Sequence, residues 1–475
     1  MSNENIIQNV WNLCHILRGD GISYHEYISE LTYLLFLKIA EENETEKLLL
    51  KGCRWRDLLD YDGDKLLAFY QEMLTRLGGY AKSEAVRAIY AFPTTVFSHS
   101  ENLRAVINGI AKIDWHSVTE DGIGEVYEGL LAKNSQDARS GAGQYFTPRT
   151  LVDCIVKLTK PQLGEEIQDP AAGSGGFLIS AEHFLRTTNN YKAYASNPPS
   201  YQGMEIEKST HRICLMNIFL HQMDADIILG DTLTEDARDL VLADLILANP
   251  PFGAKAGSVR DGRKDIPFLT TNKQLAFLQH IYLGLKPGGR AAVVLPDNTL
   301  FEEGVGKKIR QDLMEKCNLH TILRLPTGIF YSQGIKTNVL FFSRGKQDKE
   351  NTKFVWVYDM RTNMPSFGKR NPLSEKHLEP FEKAFGDDPH NTAERKDEGE
   401  EGRFRCFSRK YIAKRKDNLD ISWLKDDGNS GTENPPDPES IAREVMENLR
   451  TALEEMDALS DLLTPKYSDT NETAE

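Results

Sequence analysis

Between about residue 140 and residue 345, short apolar runs alternate with longer amphipathic ones, and this alternation restricts the fold more than any other feature. The apolar runs lie at 166–169, 202–206, 225–230, 243–248, 289–296, 320–325 and 337–343. Helical spacing at 174–186, 208–221, 272–285 and 307–316 falls between several of them. Strands separated by helices predict an α/β, doubly wound parallel sheet of seven strands, because a parallel crossover needs a dozen or more residues. The last two runs are joined by a segment with no room for a long helix, so one of them is expected to run antiparallel.

At 475 residues the chain is too long for one ordinary domain. Residues 1–135 read as an N-terminal helical domain. Ile6, Val10, Leu13 and Leu17 recur at helical spacing, as do Ile28, Leu31, Leu34 and Leu35. Leu31 to Ala40 is strongly apolar but too short to span a bilayer, which predicts a buried core helix. The sheet-forming domain is expected at 136–370. Residues 346–435 are charged and poor in apolar runs, and 371–435 read as a partly flexible segment, with 387–403 a solvated or disordered loop. A C-terminal helix is expected within 436–475, with Asp437 as N-cap and Pro438 at its first position. Its stripe of Ile441, Val445, Leu449, Ala452, Met456, Leu459 and Leu463 fits packing on its own subunit or docking on a partner's helix.

The six cysteines form no CxxC pair, and the polar N-terminus lacks the form of a signal peptide. Both point to a reduced, cytoplasmic chain without a metal site or disulfide framework. The formal net charge is −14. A protein that grips nucleic acid alone is usually basic, so nucleic-acid contacts here must be local or shared with a partner.

Three segments carry chemistry. In Asn249-Pro250-Pro251-Phe252, two prolines stop the strand run 243–248 and set a stiff extended hook at its carboxyl end. The Asn249 amide, the Pro250 carbonyl and the Phe252 ring would face one crevice, which suits a planar amino group needing two acceptors and a stacking surface. Asn-Pro-Pro also occurs at 197–199 and 434–436, but neither copy follows an apolar strand or ends in an aromatic, so both read as turns. The second segment, Asp169-Pro170-Ala171-Ala172-Gly173-Ser174-Gly175-Gly176-Phe177, closes a strand and opens a helix, where α/β sheets bind ligands. Its spacing is not GxGxxG. Glu205 ends the next strand run, placed for the hydroxyls of a ribose, and Asp231 ends the one after, placed for an adenine amino group. A glycine turn and two strand-end acids suit an adenosine ligand without a pyrophosphate, such as S-adenosyl-L-methionine. The third segment, 140–148, precedes a helix with Thr147 as N-cap and Pro148 at its first position, and sets Tyr145 and Phe146 beside a glycine loop.

Together these residues resemble the amino-methyltransferases that modify N6 of adenine in DNA, and closely resemble the methylation subunit of type I restriction-modification systems. The similarity runs from the helical N-terminal region through 141–148, 169–177, Glu205, Asp231 and 249–252. It continues through 286–290, 327–330 and 337–340 to 418–423, and so covers most of the chain. The resemblance implies a seven-stranded, Rossmann-like methyltransferase domain that uses S-adenosyl-L-methionine. It implies cofactor contacts from Gln144, Tyr145, Phe146, Thr147, Pro148, Asp169, Ala171, Gly173, Ser174, Gly175, Glu205 and Asp231. It assigns catalysis to Asn249, Pro250, Pro251 and Phe252, and stacking on a flipped adenine to Phe252 and Phe330. The implied partners are double-stranded DNA, a separate specificity subunit, a second methylation subunit and a restriction subunit, without a membrane.

Two basic segments are candidate DNA contacts: 253–264, with Lys255, Arg260, Arg263 and Lys264, and 403–416, where basic residues interleave with Phe404, Phe407 and Tyr411. The second fits a solvated face equally well. No GxxxxGK[ST] phosphate loop is present, so translocation and cleavage are not expected of this chain. The competing readings are methylation of a protein glutamine or other amide, which uses a similar hook, and a catalytically idle scaffold.

Overall fold

The seven expected strands all form and lie in one sheet: β1 (Glu166–Asp169), β2 (Ser200–Glu205), β3 (Asp226–Leu229), β4 (Ala243–Ala248), β5 (Leu285–Pro296), β6 (Cys317–Arg324) and β7 (Thr337–Arg344). The computed structural model describes residues 3–18, 24–43, 45–113, 147–253, 265–330, 336–365 and 371–425, with a few positions between them. Two further strands, β8 (Phe354–Asp359) and β9 (Phe404–Ser408), extend the sheet to nine in the order β3-β2-β1-β4-β5-β7-β6-β8-β9. β7 runs antiparallel to both β5 and β6, as the short connection requires.

Alternate residues of the central strands feed opposite cores. Leu245, Leu247, Ala292, Val294, Val339 and Phe341 enter one cluster, while Ile246, Ala248, Val293, Leu295, Leu340 and Phe342 enter the other. A strand covered on both faces has no polar side, which explains the unbroken apolar runs. Strand order reverses direction between β1 and β4, which pair in parallel with Ile167 opposite Leu245. In open α/β sheets a crevice for ligands forms outside the carboxyl ends at such a point.

The N-terminal region is helical. The first expected helix divides into Asn3–Asn12 and Cys14–Arg18. Tyr24–Glu42 forms one helix in which every residue from 27 to 40 is buried, so the apolar run is a core helix. None of the described helices is long and apolar enough to cross a membrane.

The helix Lys208–Leu220 joins this region to the sheet. Met216 and Leu220 pack into the N-terminal core, Cys214 and Ile218 into the core beneath the sheet. Apolar residues surround its axis because both sides are covered. Arg212 projects from it, 5 % exposed. Its Nε donates to Ile89 O at 3.0 Å, Nη1 to Ser29 Oγ at 2.9 Å and Nη2 to Ala91 O at 3.3 Å, and the guanidinium lies over the Tyr33 ring at 4.4 Å.

The stretch expected to be charged and flexible contributes ordered elements: the helix Glu375–Phe385, strand β9 and the helix Arg409–Lys414. Residues 387–403 lack regular structure but are held in place, which departs from the solvated or disordered loop expected there. Asp397 Oδ2 accepts from Cys406 N at 2.9 Å, and Glu398 Oε2 accepts from Arg403 N at 2.9 Å and Phe404 N at 3.1 Å. The C-terminal helix expected within 436–475 lies outside the described residues.

Arg212→Ala should leave two carbonyls and a hydroxyl without this partner in a buried junction. A loss of roughly 2–4 kcal/mol in urea denaturation is expected, since leaving a buried acceptor unpaired costs about 1–3 kcal/mol.

Candidate functional site

β1 and β4 are neighbours, so the turn after Asp169 and the hook after Ala248 share one end of the sheet. The turn is built from backbone contacts. Asp169 Oδ1 accepts from Ala171 N at 3.0 Å, Ala172 N donates to Met204 O at 2.9 Å, and Gly175 N donates to Ala172 O at 2.8 Å. Gly175 caps the helix Gly176–Thr188 at φ 82°, in the left-handed region, and a Cβ there would stand 3.1 Å from Cys214 Sγ. Both facts call for glycine. Asn217, on the same helix as Cys214, donates from Nδ2 to Ser174 O at 2.9 Å.

Glu205 closes β2 and braces the turn. Its Oε2 accepts from Gly173 N at 3.0 Å and its Oε1 from Glu207 N at 2.9 Å. Asp231 stands just past β3, where Oδ1 accepts from Leu233 N at 2.9 Å. Thr232, beside it, donates to Pro170 O at 2.6 Å and ties the β3 exit to the glycine turn. Thus Asp169, Ala171, Gly173, Ser174, Gly175, Glu205 and Asp231 line successive exits of β1, β2 and β3. Burial pushes the Asp169 carboxyl up to about 8, opposed by the Ala171 N–H and reinforced by the Glu205 charge. Burial likewise raises Glu205. A ligand bringing positive charge or hydroxyl donors would favour the ionised form of both acids and offset the burial.

The hook leaves β4 with Pro250 buried and Asn249, Pro251 and Phe252 partly exposed. Asn249 Nδ2 donates to Thr147 Oγ1 at 2.9 Å. Just beyond the hook, Gly253 N donates to Gln274 Oε1 at 3.0 Å and Gly253 O accepts from Lys273 N at 3.0 Å. The hook is therefore gripped at both ends, by the segment before one helix and the first turn of another. Phe252 borders the apolar cluster that contains Phe330, which is 7 % exposed.

Some expectations change. The helix Arg149–Thr159 has Pro148, not Thr147, as N-cap, and Thr147 turns its hydroxyl to Asn249 instead. Gln144, Tyr145 and Phe146 lie outside the described residues, as do Lys255, Arg260 and Lys264. Arg263 is engaged with Asp265, Nε to Oδ1 at 2.8 Å. In 403–416 the arginines serve the fold. Arg403 bonds the carbonyls of Asp359 and Thr362, Arg409 pairs with Asp417, and Arg415 bonds Asp420 O. Lys410, Lys414 and Lys416 are exposed. Gln274 and Asn217 carry no local motif, and only the fold brings them to the site.

The chain matches known proteins over most of its length. Residues 118–425 match the N-6 DNA Methylase family model, and residues 6–110 match the HsdM N-terminal domain. The chain is 44% identical over 506 aligned positions to the type I restriction enzyme EcoKI methylase subunit of Escherichia coli (strain K12), covering 97% of this chain and 95% of that one. Identity to the StySPI methylase subunit of Salmonella potsdam is also 44%, with the same coverage. Among solved structures, the EcoKI M protein superposes with a TM-score of 0.55 at 39% identity, covering 98% of each chain. A chain from a type I R-M system studied for complex assembly and conformational transition gives 0.72 at 28% identity, covering 98% of this chain and 100% of that one.

Because the native Asp169 carboxyl titrates near 8 against 3.8 for the free group, it holds its proton longer in the native state than in the unfolded one. Its contribution to stability is full below about pH 4 and is lost as pH rises towards 8. Asp169→Asn keeps the acceptor for Ala171 and removes this slope. The melting temperature of the variant should therefore gain on that of the parent as pH is raised from 5 to 8 in a thermal denaturation series.

Proposed function

The chain belongs to the N-6 DNA methylase family, among the methylase subunits of type I restriction enzymes, and from that premise we propose that it transfers a methyl group from S-adenosyl-L-methionine to N6 of a flipped adenine in double-stranded DNA. The observation that carries the reading is the adjacency of two devices at the sheet's switch point: the acid-braced glycine turn after β1 and the hook after β4. Asp169, Ala171, Gly173, Ser174, Gly175, Glu205 and Asp231, with 144–148, would hold the cofactor. The buried acids fit its charged methionine end and its ribose. When bound, this cofactor supplies an electrophilic methyl group on a sulfonium.

The chain's own part is to prepare the amine. An aromatic amine's lone pair is delocalised into its ring and is a poor nucleophile. Asn249 Nδ2 donates to Thr147 Oγ1, and in this reading Oδ1 accepts from the amine. Asn249 Oδ1 and the Pro250 carbonyl accept the two amine hydrogens, and the nitrogen lone pair then points out of the ring. The proline pair fixes both acceptors before the base arrives, so little reorganisation accompanies reaction. Phe252 stacks on the base, which must leave the duplex because N6 is out of reach inside it. Phe330 supplies a second aromatic surface from the adjoining cluster. We further propose a cytoplasmic complex in which a specificity subunit selects the sequence, a second copy of this chain completes the methylase and a restriction subunit joins the full assembly.

Labelled methyl transfer to duplex DNA is expected only when the chain is co-expressed with its specificity subunit. Label on a protein acceptor and never on DNA would overturn the reading. Asn249→Ala should lower turnover roughly 100- to 1,000-fold, the effect of removing one positioned polar group at a reacting centre. Its S-adenosyl-L-methionine affinity by calorimetry should stay within a few-fold of the parent. A collapse of that affinity would move residues 249–252 to the cofactor site.

A further inference from the structure

Arg361 lies just beyond β8, a strand outside the seven-strand core, yet its guanidinium reaches the end of the sheet that carries the hook. Its Nε donates to Leu325 O at 3.0 Å and its Nη2 to Thr337 O at 3.0 Å. Those carbonyls flank the connection from β6 to β7, and Phe330 belongs to the first part of it. The same guanidinium holds Asp297, the residue after β5, with Nη1 to Oδ2 at 2.8 Å and Nη2 to Oδ1 at 2.9 Å. Asp297 Oδ1 also accepts from Asn338 Nδ2 at 2.7 Å, and Asp297 N donates to Lys336 O at 2.9 Å. One planar fork thus ties the exits of β5 and β6 to the entry of β7.

A second contact comes from the same flank. Phe367 N donates to Thr327 O at 3.4 Å. Gly328, next in the segment, has φ 84°, and a Cβ on it would meet Phe367 O at 2.0 Å. The backbone after β8 therefore presses directly on the segment 325–330. Leu325, Ile329, Phe330, Met360 and Phe367 share the apolar cluster bordered by Phe252. β4 and β6 are separated by β5 and β7, so at about 4.8 Å per strand the hook and the β6 exit start roughly 14 Å apart. A wall facing the hook across that span has to be held from behind.

We propose that Arg361 is a positioning residue for the methyl-transfer reaction: it clamps the segment 325–330 as the far wall of the target-base pocket, opposite Asn249–Phe252. The inference rests on the adenine-methyltransferase reading. Lysine cannot replace the fork, since a single ammonium does not span two carbonyls and both carboxylate oxygens. Gly328→Ala attacks the same wall while leaving the ion pair intact.

The test uses the full chain in complex with its specificity subunit, on a duplex with 2-aminopurine at the target adenine, the site being read from DNA methylated in the co-expressing cells. In Arg361→Lys the fluorescence rise that marks base flipping should fall at least several-fold, and single-turnover methyl transfer on the adenine duplex at least tenfold. S-adenosyl-L-methionine affinity should stay within about twofold of the parent. Gly328→Ala should show the same pattern. Parental flipping and turnover in either the Arg361→Lys or the Gly328→Ala complex overturns the proposal. So does loss of cofactor affinity in step with flipping, which marks a general structural role. A parent complex that methylates no DNA instead removes the reading beneath the proposal.

Discussion

The guanidinium of Arg212 bonds two carbonyls and a serine hydroxyl of the N-terminal helices while its own helix, Lys208–Leu220, lies against the sheet. The remaining architecture follows from that junction. A buried cation must be matched by acceptors, and here the N-terminal region supplies them. The same helix sends Asn217 to Ser174 and sets Cys214 behind Gly175, so it also backs the glycine turn. The glycine-turn side of the crevice is thus shaped by a helix whose opposite face belongs to the N-terminal core. Neither core can open there without exposing the other, which makes the helical region and the sheet parts of one cooperative structure.

The two halves of the site are braced by different means. On the glycine-turn side, Glu205 and Asp169 accept from backbone N–H groups of the turn, and the turn's geometry depends on glycine. On the hook side, conformation is fixed by prolines and by two side chains from elsewhere, Thr147 and Gln274. The first arrangement suits a ligand approached closely by backbone. The second suits a fixed pair of acceptors that must not rotate away.

Most of the sheet was legible because strands buried on both faces leave unbroken apolar runs, and the glycine turn and the hook are local in sequence. What could not be read was long-range. Thr147 is 102 positions from Asn249, and nothing in the sequence around it signals their contact. β8 spells Phe-Val-Trp-Val-Tyr-Asp, a clear strand signal, but it is a short run inside a charged region and is lost when that region is judged as a whole. Around β9, Arg403 and Arg405 interleave with Phe404 and Phe407, which resembles a nucleic-acid face. Instead Arg405 lies over the rings of Phe407 and Trp423 at 5.2 and 5.6 Å. Charge in a sequence does not reveal whether it faces solvent or its own neighbours.

Among the described residues strand β9 ends the sheet, and its outward N–H groups at Phe404 and Cys406 are bonded by the carboxylates of Glu398 and Asp397. An open edge of this kind is a template on which a foreign strand can add, the usual first step towards aggregation. Here side-chain oxygens occupy the places that a foreign strand's carbonyls would take, and they carry negative charge. The acidic loop between Asp387 and Arg403 therefore acts as a stopper on the sheet, and a protein joining this flank has to bind through side chains rather than by extending the sheet.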